Sequence, residues 1–187
     1  MLTFQQPEKI TDTHGLPATV ALLDGSNFWS LMMSLGTPAD FRKLRNYIAS
    51  GTSLLEANYY TAVYPTSPVE AILFEAEQRG WQPVTKLIRE SQRHSKGDID
   101  ELIAADLVGY VAFGHPTRSR IDKITLISGD GDYVPIIEKY VKPHGVRLHV
   151  IGSREPGVNG RTSERLHRIA DEFTEVVDIL PDIELLR

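Results

Sequence analysis

A continuous apolar run, Ala18 to Leu23, leads straight into Asp24 and Gly25. A strand with one wet face alternates apolar and polar residues. An unbroken run instead marks a strand buried on both faces, as in a parallel sheet covered by helices. Parallel neighbours need crossover connections, so the rest of the chain should alternate strands with helices.

It does. Ser26 to Ala49 is broadly helical, and Ser53 to Tyr64 reads as a second strand with a ragged start that stops at Pro65. The clearest helix start follows. Ser67 is a cap residue, Pro68 takes the first helical position, Glu70 lies three after the cap, and Gly80 closes the helix. Trp81 to Ile88 is a third strand, Arg89 to Gly97 a basic loop, and Asp98 to Phe113 a helix whose apolar face includes Leu102, Ile103, Leu107 and Val111. Lys123 to Ile127 and Val146 to Ile151 are further strands around a helix at Tyr133 to Val141. Ser163 to Phe173 is a last helix, with an edge strand expected at Val176 to Leu180. The pattern predicts a three-layer α/β/α, Rossmann-like architecture. Residues 1–17 read as a flexible arm and 18–187 as one domain.

In such sheets, ligands bind outside the carboxyl ends of the strands. Three acidic clusters are expected there. The first strand ends in Asp24-Gly25-Ser26-Asn27, and the fourth in Ser128-Gly129-Asp130-Gly131-Asp132. The helix before the fourth strand opens with Lys96-Gly97-Asp98-Ile99-Asp100. Each has a plain reading: Asp-Gly after a strand is more often a turn or a helix cap, and Asp98 and Asp100 suit a helix dipole. The conjunction on one edge argues for more. Carboxylates crowded together repel, and hard cations relieve that repulsion. The chain has no cysteine, and oxygen-only ligands suit Mg²⁺ or Mn²⁺. The carboxylates of Asp24, Asp100 and Asp130 are therefore expected to converge.

Other chemistries lack their signatures. No strand is followed by a G-x-G-x-x-G dinucleotide loop, and there is no Walker P-loop. The six histidines show no metal-ligand spacing, and Ser128 lacks a nucleophile elbow. A phosphatase with Asp24 as nucleophile would want a second acid where Ser26 stands. The absence of cysteine points to a reducing cytoplasm. There is no basic, apolar leader and no apolar stretch of membrane-spanning length. The formal net charge of −5 is unusual for a nucleic-acid binder, though two bound divalent cations would remove most of it.

The stretches Val20 to Phe28, Lys96-Gly97 leading to Asp100 with Asp106 six further on, and Ser128 to Pro135 together resemble the NYN (LabA-like) family of the PIN-like superfamily. The resemblance spans about residues 18–180. It implies a sheet of order 3-2-1-4-5, a divalent-metal site and phosphodiester hydrolysis, usually of RNA, with DNA as the other substrate. It assigns Asp24, Asp100, Asp130 and Asp132 as metal-binding acids and Asn27 as their polar support. Asp106 matches a further family acid. Some members place one residue between Lys-Gly and the helix acid; here Asp98 and Ile99 intervene, so Asp98 competes with Asp100. Lys96, Arg154, Arg161 and Arg165 flank this edge and are candidates to track a nucleic-acid backbone. The alternative function is an RNA-binding or regulatory scaffold with little turnover. Assembly into homo-oligomers is compatible with the sequence and not specified by it.

Overall fold

The computed structural model describes residues 15–64, 69–88 and 98–185. The first fourteen residues of the arm, the Ser67–Pro68 helix start, and the basic loop with Lys96 lie outside them, as does the side chain of Asp98. Six strands form one parallel sheet: β1 (Ala18–Asp24), β2 (Ser53–Val63), β3 (Gln82–Leu87), β4 (Lys123–Ile127), β5 (Arg147–Gly152) and β6 (Glu172–Glu175). Their order is β3-β2-β1-β4-β5-β6, the expected order with one strand added.

All seven residues of β1 are buried, which is what its unbroken apolar run requires. The side-chain period of two then sorts them between two cores. Val20 and Leu22 pack with Ile103 and Leu107 of α4 (Asp98–Phe113), with Val134 of α5 (Val134–Ile136) and with Ile137. Ala21 and Leu23 pack with Phe28 and Leu31 of α1 (Gly25–Ser34), Leu44 and Ile48 of α2 (Phe41–Ala49), and Trp81. Asp24 shares the parity of Leu22, so its side chain falls on the α4 side. The ragged start of β2 is a register shift, in which Thr19 pairs Leu54 but Val20 pairs Glu56. Gly80, at φ 82°, ends the turn after α3 (Val69–Gln78), as the sequence implies.

The C-terminal segment differs from expectation. α6 (Glu164–Ile169) is shorter than predicted, β6 lies at Glu172–Glu175, and the residues expected as an edge strand form α7 (Val176–Ile183). Asp171 is the cause of the break. Its backbone N–H donates to Leu148 O (2.8 Å), and its carboxylate accepts from Leu148 N (2.7 Å) and from Lys142 Nζ (2.7 Å). This clamps the chain beside β5 before a helix can continue. Beyond it, Val176, Ile179 and Ile183 are buried at helical spacing. Among the described residues no helix is long and apolar enough to cross a membrane.

His149, in the middle of β5, is a structural residue. Its Nε2 lies 2.8 Å from Thr174 Oγ1 and its Nδ1 3.5 Å from Thr125 Oγ1. Burial, reinforced by Lys123 and only partly opposed by Glu172, lowers its pKa from 6.5 to about 4. The unfolded chain therefore binds a proton that the folded chain refuses between those values. Stability is whole above pH 6.5 and falls as the pH drops towards 4. The interval is worth on the order of 2 to 3 kcal/mol. Urea titrations at pH 7 and pH 4.5 should show a larger loss for the native chain than for His149→Gln; equal losses would refute this assignment.

Candidate metal centre

The trio Asp100, Asp130 and Asp132 offers one carboxylate oxygen each, all within 4.8 Å of one another. Asp100 comes from the first turn of α4. Asp130 ends the loop after β4, and its side chain caps the 3-10 turn Gly131–Tyr133 by accepting from Asp132 N at 2.9 Å. That cap fixes the two acids relative to each other. Asp132 is the exposed member and the other two are half-buried. The Asp100 carboxyl is pushed up, first by burial and then by the charges of Asp24, Asp130 and Asp132, against a lowering bond from Tyr133. Three oxygens converging with mutual repulsion fit a hard divalent cation.

Asp24 stands behind this trio rather than in it. It is 3% exposed, and its two oxygens accept four protein donors. Oδ1 takes Ser26 Oγ (3.0 Å) and Asn27 N (3.0 Å); Oδ2 takes Ser128 Oγ (3.1 Å) and Tyr133 Oη (3.2 Å). Tyr133 Oη also lies 2.9 Å from Asp100 Oδ1, so one hydroxyl joins the two acids. Burial and the charges of Asp24 and Asp100 keep that phenol protonated. Ser128 Oγ similarly connects Asp24 to the backbone N–H of Asp130 (3.1 Å). The sequence alone does not assign Tyr133 and Ser128 to the site. Their only signal there is position, within the few residues on either side of Asp130.

This separates two substitutions that the sequence treats alike. Relief of repulsion suggests that Asp24→Asn and Asp130→Asn should both be neutral or stabilising without metal. The geometry keeps that expectation for Asp130. Asparagine at 24 would replace an acceptor oxygen with a donor facing protein donors, at a cost of about 2 to 3 kcal/mol. Thermal melts in chelator should show a clear loss for Asp24→Asn and none for Asp130→Asn.

Asn27 reaches Asp24 only through its backbone N–H, and its side chain bonds no acid among the described residues. Its Oδ1 accepts from Gly129 N (2.8 Å), tying α1 to the loop after β4. Arg154 and Arg161 both approach Glu164, at 3.9 and 3.3 Å, and Arg161 Nε donates to Arg154 O (3.1 Å). The Arg161 backbone packs on Gly129, beside Asp130, so this loop borders the trio. Arg165 is exposed on α6 and has no ion-pair partner among the described residues. Asp106 lies elsewhere, accepting from Tyr60 Oη at 2.6 Å.

A three-layer parallel sheet carrying clustered acids beyond the ends of β1 and β4 defines the PIN-like class. Residues 19–180 match the NYN domain model, and the chain belongs to that family. It is 24% identical over 178 residues to the Low amplitude and bright protein LabA of Synechococcus elongatus, covering 90% of this chain and 89% of that one. A crystal structure of a protein of unknown function from Vibrio parahaemolyticus shares the fold. Its TM-score is 0.72 at 21% identity, with 94% of this chain and all of that chain covered.

Proposed function

We propose that the protein is a divalent-metal-dependent nuclease that hydrolyses phosphodiester bonds in RNA. The observation that carries this is the convergence of Asp100, Asp130 and Asp132 in a chain that matches the NYN domain over residues 19–180. Asp100, Asp130 and Asp132 would hold Mg²⁺ or Mn²⁺. When bound, such an ion polarises the scissile phosphate and lowers the pKa of a water. The chain's own groups do the rest. The single Tyr133 hydroxyl proton is shared between Asp100 and Asp24, which ties the two carboxylates together, and Asp24 also holds Ser128. Asp132, the exposed acid, orients the attacking water. Asn27 holds the Gly129 loop at its working position.

The test is cleavage of end-labelled single-stranded RNA with Mn²⁺, Mg²⁺ or chelator. Metal-dependent products are expected. Binding without cleavage in any metal would favour the scaffold reading. Holding the phosphates falls to the basic side chains. Replacing Arg161 and Arg165 with Ala should weaken RNA binding and flatten its log–log salt dependence by about 0.7 for each phosphate no longer neutralised. An unchanged slope would remove these arginines from the interface.

A further inference from the structure

A second polar network, not used by the acid trio, lines a groove of about 400 Å³ between α4 and strands β2 and β3. Asn58 sits at its floor, 2% exposed. Its Nδ2 donates to Tyr110 Oη (2.8 Å) and Tyr60 Oη (3.3 Å). Tyr60 donates in turn to Asp106 Oδ2, and the Tyr110 hydroxyl bonds Glu56. Glu56 Oε2 is also 3.2 Å from His115 Nε2.

The two carboxylates fix the direction of this network. Each draws a tyrosine proton towards itself, leaving the phenol oxygens as acceptors, so Asn58 must turn its NH₂ to them. Its Oδ1 is then left buried with no partner among the described residues. An orphaned buried carbonyl costs free energy that a ligand can recover. With the network's own donors committed, what remains for a ligand is acceptor capacity on Asn58 and the two acids. The lining mixes polar groups, the exposed Gln82 amide at the rim among them, with apolar faces. Val84 and Tyr110 line the groove, and Gly109 leaves one side open, with no atom within 4 Å of where its Cβ would stand.

We infer that this groove binds a guanine base of a single-stranded nucleic acid, with its imino and amino groups donating to Asn58 Oδ1 and the neighbouring carboxylates. Guanine presents adjacent N1–H and N2–H₂ donors. Adenine and cytosine pair one donor with an acceptor, and uracil flanks its single N–H with two carbonyls that the acids repel. Asp106 follows Asp100 by six residues, about 9 Å along α4, and Tyr60 pairs with Asp24 across the β1–β2 ladder. A strand with its phosphate at the acid trio thus brings a nearby base to the groove. The position relative to cleavage rests on the nuclease reading; the base preference does not.

The experiment uses the full chain and labelled oligouridine hexamers carrying one guanosine at each position in turn. Affinity is read by fluorescence anisotropy in chelator and cleavage with Mn²⁺. Guanosine at one position should bind roughly ten-fold tighter than uridine, and inosine, which lacks the amino group, should lose most of that gain. Glu56→Gln and Asp106→Asn keep an acceptor for each tyrosine and add a donor. They should erase the guanosine preference in binding, which is read in chelator and so does not depend on cleavage. Equal binding of guanosine and uridine at every position, or a preference that survives both variants and inosine, overturns the inference. Cleavage without base preference sinks the groove and keeps the nuclease. Preference without cleavage does the reverse, and neither effect sinks both.

Discussion

Asp130→Asn and Asp100→Asn should each lower Mn²⁺-dependent cleavage by about a thousandfold, equivalent to roughly 4 kcal/mol of lost transition-state stabilisation. Neither change should unfold the protein. Asparagine caps a helical turn as well as aspartate does, so the bond from Asp132 N to residue 130 survives. At residue 100 the amide oxygen can still accept from Tyr133. Asp100→Asn should even raise the melting temperature in chelator. Burial and three neighbouring acids oppose the charge on Asp100, and the variant removes that charge. RNA binding should persist in both variants, because phosphate is repelled less once a carboxylate is gone. The informative result is this split of lost cleavage, retained binding and unchanged or higher stability. Wild-type rates in both variants would show that the trio is not the reaction centre.

How much of this is legible in the sequence depends on whether the signal is local. β1 can be read because all seven of its residues are buried, and a run that is apolar apart from Thr19 up to its closing Asp24 marks a strand covered on both faces. The acids can be placed on one edge because parallel topology puts every strand end there. Topology does not give depth. Asp24 closes β1 and Asp130 stands three residues past β4 on the same edge, and one is enclosed by four donors while the other is half-exposed. That difference depends on Tyr133 folding back over β1, a bond between residues 109 apart in sequence. Asp106 misleads for a related reason. It shares α4 with Asp100, but their directions differ by about a third of a turn, and Tyr60 claims it from β2. The chain after residue 170 is misread because a four-residue edge strand has no periodicity to detect. Its position is set by Asp171 gripping Leu148.

Gly129 gives the largest expected stability effect. The residue is buried where three segments meet. Its N–H donates to Asn27 Oδ1 (2.8 Å), and its carbonyl accepts from Ser163 N (2.9 Å). The chain at 160–161 runs directly over its Cα. A Cβ there would overlap Gly160 O and lie 2.8 Å from the carbonyl carbon and oxygen of Arg161. These neighbours are backbone atoms, so no rotamer change relieves the overlap, and a close-packed interior resists the shift. Gly129→Ala should therefore cost about 4 kcal/mol and lower the melting temperature by about 10 °C or more. Gly131→Ala is the control. Its Cβ would meet Ser163 Oγ at 2.7 Å, which can rotate away at the loss of its bond to Leu166 N, and Ser163 Cβ at 3.1 Å, which must give by only a few tenths of an ångström. That variant should lose only about 1 kcal/mol, the usual cost of a missing helix cap. The two glycines flank Asp130, so their contrast also probes the site. Displacing the 160–161 segment at Gly129 moves the peptide that carries Asp130, and cleavage should fall even at temperatures where the variant remains folded. Equal, small losses for both alanines would mean that the 160–161 loop is free to lift from β4, and the close approach would then contribute nothing to holding Asp130 in place.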